Sequence, residues 1–204
     1  MAKIKNLLFD LGGVLLNIDY HKTAAAFKQL GVTKFDDLYS QTDANHLFEA
    51  LETGKITEAD FYASLQPYCN PETTKEEIES AWNAMLLDFR IDSMLWLKGL
   101  QEQYNIFLLS NTNSIHLTAF NKIFNREVEE SSLDDYFIKA YYSHNIKMRK
   151  PYPATYQFVL NDAGLKAEET LFIDDSINNI DGAKQAGLQV HHLSPGTKIQ
   201  DITL

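Results

Sequence analysis

The chain has 204 residues, 45% apolar and 23% charged, a balance that suits one folded domain with a small insert and excludes a disordered chain. Its formal charge of −10 argues against a nucleic-acid-coating surface, because such affinity rests on cations meeting phosphates, and no nucleic-acid partner is expected. No run approaches ~20 consecutive apolar residues, the lone Cys69 cannot close an intrachain disulfide, and the start lacks the longer apolar segment of a secretory leader, so a cytoplasmic protein with no membrane partner is expected.

The first strand is predicted over 3–9, where Ile4, Leu7, Leu8 and Phe9 crowd into an apolar run that Asp10-Leu11-Gly12-Gly13 closes. From about Asp19 to Leu87 the pattern is helical and no strand is expected. Ala24, Phe27 and Leu30 recur at helical spacing before Gly31; Leu47 and Leu51 before Gly54 repeat the scheme. Thr57 opens a helix that Pro67 breaks. Thr74 opens another through Ile78, Trp82 and Met85, with acidic residues in its first turn. After Arg90 helices and strands alternate: helix near 94–100, strand 105–110, helix 114–124, strand 138–142, helix 153–163, strand 171–173, helix 177–186, strand 188–193. Such alternation implies an α/β fold with a doubly wound, Rossmann-like parallel sheet. The expected organisation is a discontinuous core from residues 1–16 and 88–204, with a small helical cap domain from 17–87.

In such sheets ligands bind beyond the carboxyl ends of the strands. Asp10, Ser110-Asn111 and Asp174-Asp175 each follow an apolar run with no spacer, and Lys150 follows another strand after a short loop. All project into one crevice. Three carboxylates gathered there repel one another unless a cation or proton neutralises them, and oxygen donors of this kind suit Mg²⁺.

Four segments carry this pattern: Phe9-Asp10-Leu11-Gly12-Gly13-Val14-Leu15, Leu108-Leu109-Ser110-Asn111, Arg149-Lys150-Pro151, and Phe172-Ile173-Asp174-Asp175-Ser176 with Asn179. In their order and placement the chain resembles the haloacid dehalogenase-like superfamily, in its phosphatase branch with a helical cap inserted after the first motif. The resemblance implies a hydrolase of a small phosphorylated metabolite in which Asp10 attacks phosphorus and forms an aspartyl-phosphate. It implies Mg²⁺ held by Asp10, the backbone carbonyl of Gly12 and Asp175, with Asp174 behind. Ser110 and the amide of Asn111 would hold phosphate oxygens beside Gly12, and Lys150 would offset charge on nucleophile and phosphoryl group.

One departure stands out. The branch usually carries a second aspartate two residues after the nucleophile, as general acid and base, and here that position is Gly12. Such help is typically worth ~10²–10⁴-fold. Three readings follow: a phosphatase whose acid is Asp19, His21 or water, or whose leaving group needs less protonation, such as the hemiacetal of a sugar 1-phosphate; a dehalogenase, from which halide departs unprotonated; or a phosphate-binding protein that keeps the fold without turnover. Asp19 is the nominated acid, at the mouth of the cap, although it equally suits the N-cap of the helix that follows. Retained Lys150, Asp174 and Asp175 favour the phosphatase. Other signals fail: Gly54-Lys55 lacks the remainder of a P-loop, and no G-x-S-x-G elbow exists.

Overall fold

The structure, a computed structural model, describes residues 2–32, 35, 46–128 and 132–204. β1 (Asn6–Phe9) is buried at every position, as a central parallel strand covered on both faces must be. A tight turn follows, in which the Leu11 carbonyl accepts from the backbone N–H groups of Leu15 and Leu16, and β2 (Leu16–Ile18) leaves it. Helices α1 (Tyr20–Gln29), α2 (His46–Glu52), α3 (Glu58–Leu65) and α4 (Lys75–Asn83) come next. Two of them start where the sequence marks a start: Thr57 with Asp60, and Thr74 with Glu77, close reciprocal capping boxes. The expected cap includes residues 33–34 and 36–45, which lie outside the described residues.

β3 (Leu86–Phe89) then pairs antiparallel with β2, forming a two-stranded ribbon at the stem of the helical segment. Leu86 and Leu87 fall at the end of the stretch from Asp19 to Leu87 that was expected to hold no strand, and β3 corrects that expectation there. Strands this short carry almost no alternation of their own, and their pairing depends on a partner remote in sequence.

The remaining elements are α5 (Ile91–Leu100), β4 (Asn105–Ser110), α6 (Ser114–Glu127), β5 (Lys139–Tyr142), α7 (Ser143–Ile146), α8 (Pro153–Asp162), β6 (Thr170–Asp174), α9 (Ile177–Gln185) and β7 (Gln189–His192). The five core strands run in the order β5-β4-β1-β6-β7, every neighbouring pair parallel. This is the doubly wound α/β sheet that the alternation predicts. Leu7, Phe9, Leu108 and Ile173 pack on one face with Met94 and Leu97 of α5 and Phe120 and Phe124 of α6. Leu8, Phe107, Leu109 and Phe172 pack on the other with Tyr156 and Val159 of α8 and Ile180 of α9. Each such side chain contributes roughly 1.5–3 kcal/mol when fully buried. The helices between β2 and β3 hold a separate cluster, centred on Phe27, Phe48, Phe61, Ile78 and Trp82, which α6 joins through Ile115.

Candidate active site

The site lies where β1, β4 and β6 end side by side. Phe9 pairs with Leu108 on one side and Ile173 on the other, so Asp10, one residue further on, stands level with Asp174 and beside the end of β4. The Asp10 N–H donates to the Ile173 carbonyl at 2.9 Å, which extends the ladder through the carboxylate-bearing residue and holds its backbone rigidly. Ser110, buried to 3% exposure, closes β4. Lys150 enters from the β5 side, and Asn111 fixes it: Asn111 Nδ2 donates to the Lys150 carbonyl and the Lys150 N–H donates to Asn111 Oδ1, both at 2.9 Å. The Asn111 side chain is thus committed to the lysine loop.

The Lys150 ammonium sits 2.8 Å from Asp10 Oδ1 and 2.7 Å from Asp174 Oδ2 and is 1% exposed. Burial works against its charge, but the two carboxylates outweigh burial and hold it above the usual lysine range. Asp174 is fully engaged: Oδ1 accepts from the Ser176 N–H at 2.8 Å, and Asn179 Nδ2 lies 3.1 and 3.0 Å from its two oxygens. Asp175 is more open, and its carboxylate packs on Gly13, whose φ of +72° and missing Cβ are both required, because a side chain there would run into Asp175. Burial raises the carboxyl groups of Asp10 and Asp175 above the ordinary carboxylate range, Asp174 adds to both shifts, and Lys150 opposes both.

Asp10, Asp174 and Asp175 each offer an oxygen within 4.8 Å of the others, facing a single ammonium. The imbalance is negative and every donor is a hard oxygen, so the set fits a small divalent cation. With all of Asp174's hydrogen-bonding capacity used by Lys150, Ser176 and Asn179, Asp175 is the carboxylate of this pair with room for a metal.

The opposite wall comes from the helical segment and its stem: Ile18, Tyr20, Glu52 and Leu86 face the cleft, with His116 and Arg149 from the core. A Cβ on Gly12 would lie 3.0 Å from Ile18 Cδ1, so Ile18 fills the space into which a side chain at position 12 would project. The Asp19 carboxylate caps α1, accepting from the His21 N–H at 2.9 Å, which is the second of the two roles the sequence allowed it. Burial lowers the His116 pKa to about 4, and its Nε2 lies 3.1 Å from the Trp82 carbonyl while the ring stacks on Trp82.

Glu52 and Arg149 escaped the sequence reading as site residues. Arg149 carries one signal, adjacency to Lys150. Glu52 carries none, because only the docking of α2 brings it to the cleft. Its Oε2 lies 3.0 Å from Arg149 Nε, and Glu49 stands further off at 3.9 Å. Burial raises the Glu52 carboxyl, with Arg149 opposing and Glu49 reinforcing the rise.

A buried carboxylate–lysine–carboxylate constellation thus stands at the strand ends of a parallel sheet, where ligands of such folds bind. The chain belongs to the haloacid dehalogenase-like hydrolase family, matching it over residues 4–187. It is 35% identical over 190 residues to D-ribitol-5-phosphate phosphatase of Bacteroides thetaiotaomicron, which covers 91% of this chain and 90% of that protein. Its structure superposes with a TM-score of 0.86 on a wild-type HAD family enzyme of Bacteroides thetaiotaomicron in complex with magnesium and inorganic phosphate, at 35% identity, covering 96% of this chain and 97% of that one. L-2-haloacid dehalogenase of Xanthobacter autotrophicus shares the fold alone, with a TM-score of 0.62 at 20% identity over 93% of this chain and 77% of that one. Among the described residues no helix is long and apolar enough to cross a membrane.

Proposed function

We propose that the chain is a Mg²⁺-dependent phosphatase of a small phosphorylated sugar or sugar alcohol, working through an aspartyl-phosphate on Asp10. The observation that carries this reading is Lys150 clamped between Asp10 and Asp174, with Asp175 completing a three-carboxylate cluster. The 35%-identical relative named for ribitol 5-phosphate supports the substrate class. Asp10, the Gly12 carbonyl and Asp175 would hold Mg²⁺, and Asp174 would orient Lys150. Bound there, the ion supplies positive charge for nucleophile and phosphoryl oxygens.

Asp10 Oδ attacks phosphorus, and the bond from phosphorus to the ester oxygen breaks. The departing alkoxide takes a proton from a water molecule held in the cleft, since Gly12 has no side chain to give one. Water then attacks the phosphorus of the acyl phosphate, releases inorganic phosphate and returns Asp10 to a carboxylate. Ser110 and the Asn111 N–H hold the phosphoryl oxygens, while Lys150 stabilises negative charge throughout. Residues 17–87 act as a cap that excludes bulk water and selects the leaving group.

The missing acid favours leaving groups of low basicity, such as the hemiacetal oxygen of a sugar 1-phosphate. The relative's substrate is a primary alkyl phosphate. Phosphate release from p-nitrophenyl phosphate, glucose 1-phosphate, ribitol 5-phosphate and glycerol phosphate compares these directly. Turnover is expected with Mg²⁺ and is expected to fall at least ~100-fold in EDTA, consistent with several kcal/mol of charge stabilisation by a metal. Undiminished turnover in EDTA, or no release from any phosphate, contradicts the reading.

A further inference from the structure

The carboxylate with room for a metal is also the one with least to hold it. Both oxygens of Asp174 are tied down, by the Lys150 ammonium, the Ser176 N–H and Asn179. Among the described residues no other side chain donates to the Asp175 carboxylate, which leans on the bare Cα of Gly13. Its position therefore depends on the backbone that carries it. That backbone is held from the next strand. His192 of β7 lies level with Asp174 of β6 in the parallel register. The Leu193 N–H donates to the Asp174 carbonyl at 2.9 Å, and His192 Nε2 lies 2.9 Å from the Asp175 carbonyl. A carbonyl oxygen only accepts, so the ring meets it through an N–H on Nε2. Docking of β7 does not need this contact, because its four residues already pair along β6 from Leu171 to Asp174.

We propose that His192 is a positioning residue for the metal site: by holding the Asp175 carbonyl, it keeps the Asp175 carboxylate turned towards Asp10. The inference rests on the reading above that Asp175 holds Mg²⁺. Oxygens of Asp10, Asp174 and Asp175 lie within 4.8 Å of one another, so repulsion drives the least tethered of the three outward whenever no cation is bound. A tether on the Asp175 peptide opposes that swing, and a ligand fixed in advance loses less freedom when the ion arrives. A neutral imidazole N–H does this without adding charge to the cluster. Groups that orient a metal ligand from behind typically weigh about 10–100-fold in metal affinity.

Mn²⁺ is the probe, its free concentration read by electron paramagnetic resonance, in wild type, His192→Leu, His192→Gln and Asp175→Asn. The relevant site is the Mn²⁺ binding that Mg²⁺ displaces and that Asp175→Asn loses. Leucine keeps bulk and removes the donor, whereas glutamine carries an amide N–H with about the reach of Nε2. His192→Leu is expected to raise the Kd of this site at least tenfold, and His192→Gln to stay within threefold of wild type. Thermal melts accompany each titration. A contact that only stabilises the fold would lower the melting temperature and leave the Kd of the folded protein unchanged, and that result overturns the proposal. So does equal weakening by leucine and glutamine. If His192→Leu does not fold, His192→Asn, whose amide is too short to reach the carbonyl, takes its place under the same criterion. No turnover enters these titrations, so the two levels of the account fail separately. Mn²⁺ binding that responds to His192 as expected, with no phosphate released from any compound, contradicts the phosphatase reading and leaves the proposal standing. Turnover with a Kd indifferent to His192→Leu overturns the proposal alone. A wild type without Mn²⁺ binding sensitive to Asp175→Asn overturns the proposal together with the metal assignment.

Discussion

Asp10→Asn is expected to reduce kcat for p-nitrophenyl phosphate with Mg²⁺ at least ~10⁴-fold, the scale on which removal of a catalytic nucleophile acts. The amide keeps the size of the side chain but is a far weaker nucleophile toward phosphorus. The fold should survive. Lys150 retains Asp174 at 2.7 Å, and the substitution removes one of three mutually repelling carboxylates. The melting temperature is thus expected to stay level or rise, and steady-state kinetics beside a thermal melt check both halves. Activity within tenfold of wild type would mean that Asp10 does not make the bond to phosphorus.

Lys150→Met is the second large effect, and it falls on stability as well as rate. The ammonium is 1% exposed and is the shared partner of Asp10 and Asp174, both buried. Removing one member of a buried ion pair leaves uncompensated charge and typically costs about 3–5 kcal/mol. The variant is expected to lose about that much by denaturant unfolding at neutral pH, and to lose turnover. The sign of its pH dependence follows. Asp10 is already raised by burial, and without Lys150 its folded-state pKa rises further above the unfolded value. The folded variant then binds a proton that the unfolded chain releases, so its deficit against wild type narrows as pH falls from neutrality towards the ordinary carboxylate range. A deficit independent of pH, or no deficit, would contradict the charge-compensation account.

What the sequence made legible was set by how local each signal is. Asp10, Ser110, Asp174 and Asp175 follow unbroken apolar strands, so strand ends and carboxylates could be read together, and the parallel order β5-β4-β1-β6-β7 places them side by side. Thr57 and Thr74 announced helix starts because a capping box spans only four residues. Glu52 was invisible for the opposite reason: its place in the cleft comes from docking of α2 against the Arg149 loop, a tertiary contact with no periodicity of its own. The ribbon of β2 and β3 was hidden likewise, since each strand is too short to show alternation before its distant partner is known. Asp19 had two local readings, cap and acid, and the hydrogen bond from the His21 N–H favours the first. Gly12 was legible as an absence, but that Ile18 fills the space beside it needed the fold.

The account turns on a covalent bond between Asp10 and phosphorus, and trapping that bond tests it most directly. An acyl phosphate is reduced by borohydride to an alcohol, so acid quenching during turnover, reduction and peptide mass mapping convert an aspartyl-phosphate at position 10 into homoserine. The expected result is homoserine at position 10 in samples quenched with substrate present, absent from samples without substrate and from Asp10→Asn. Phosphate release with no homoserine at position 10, or with the reduced residue elsewhere in the chain, would contradict it.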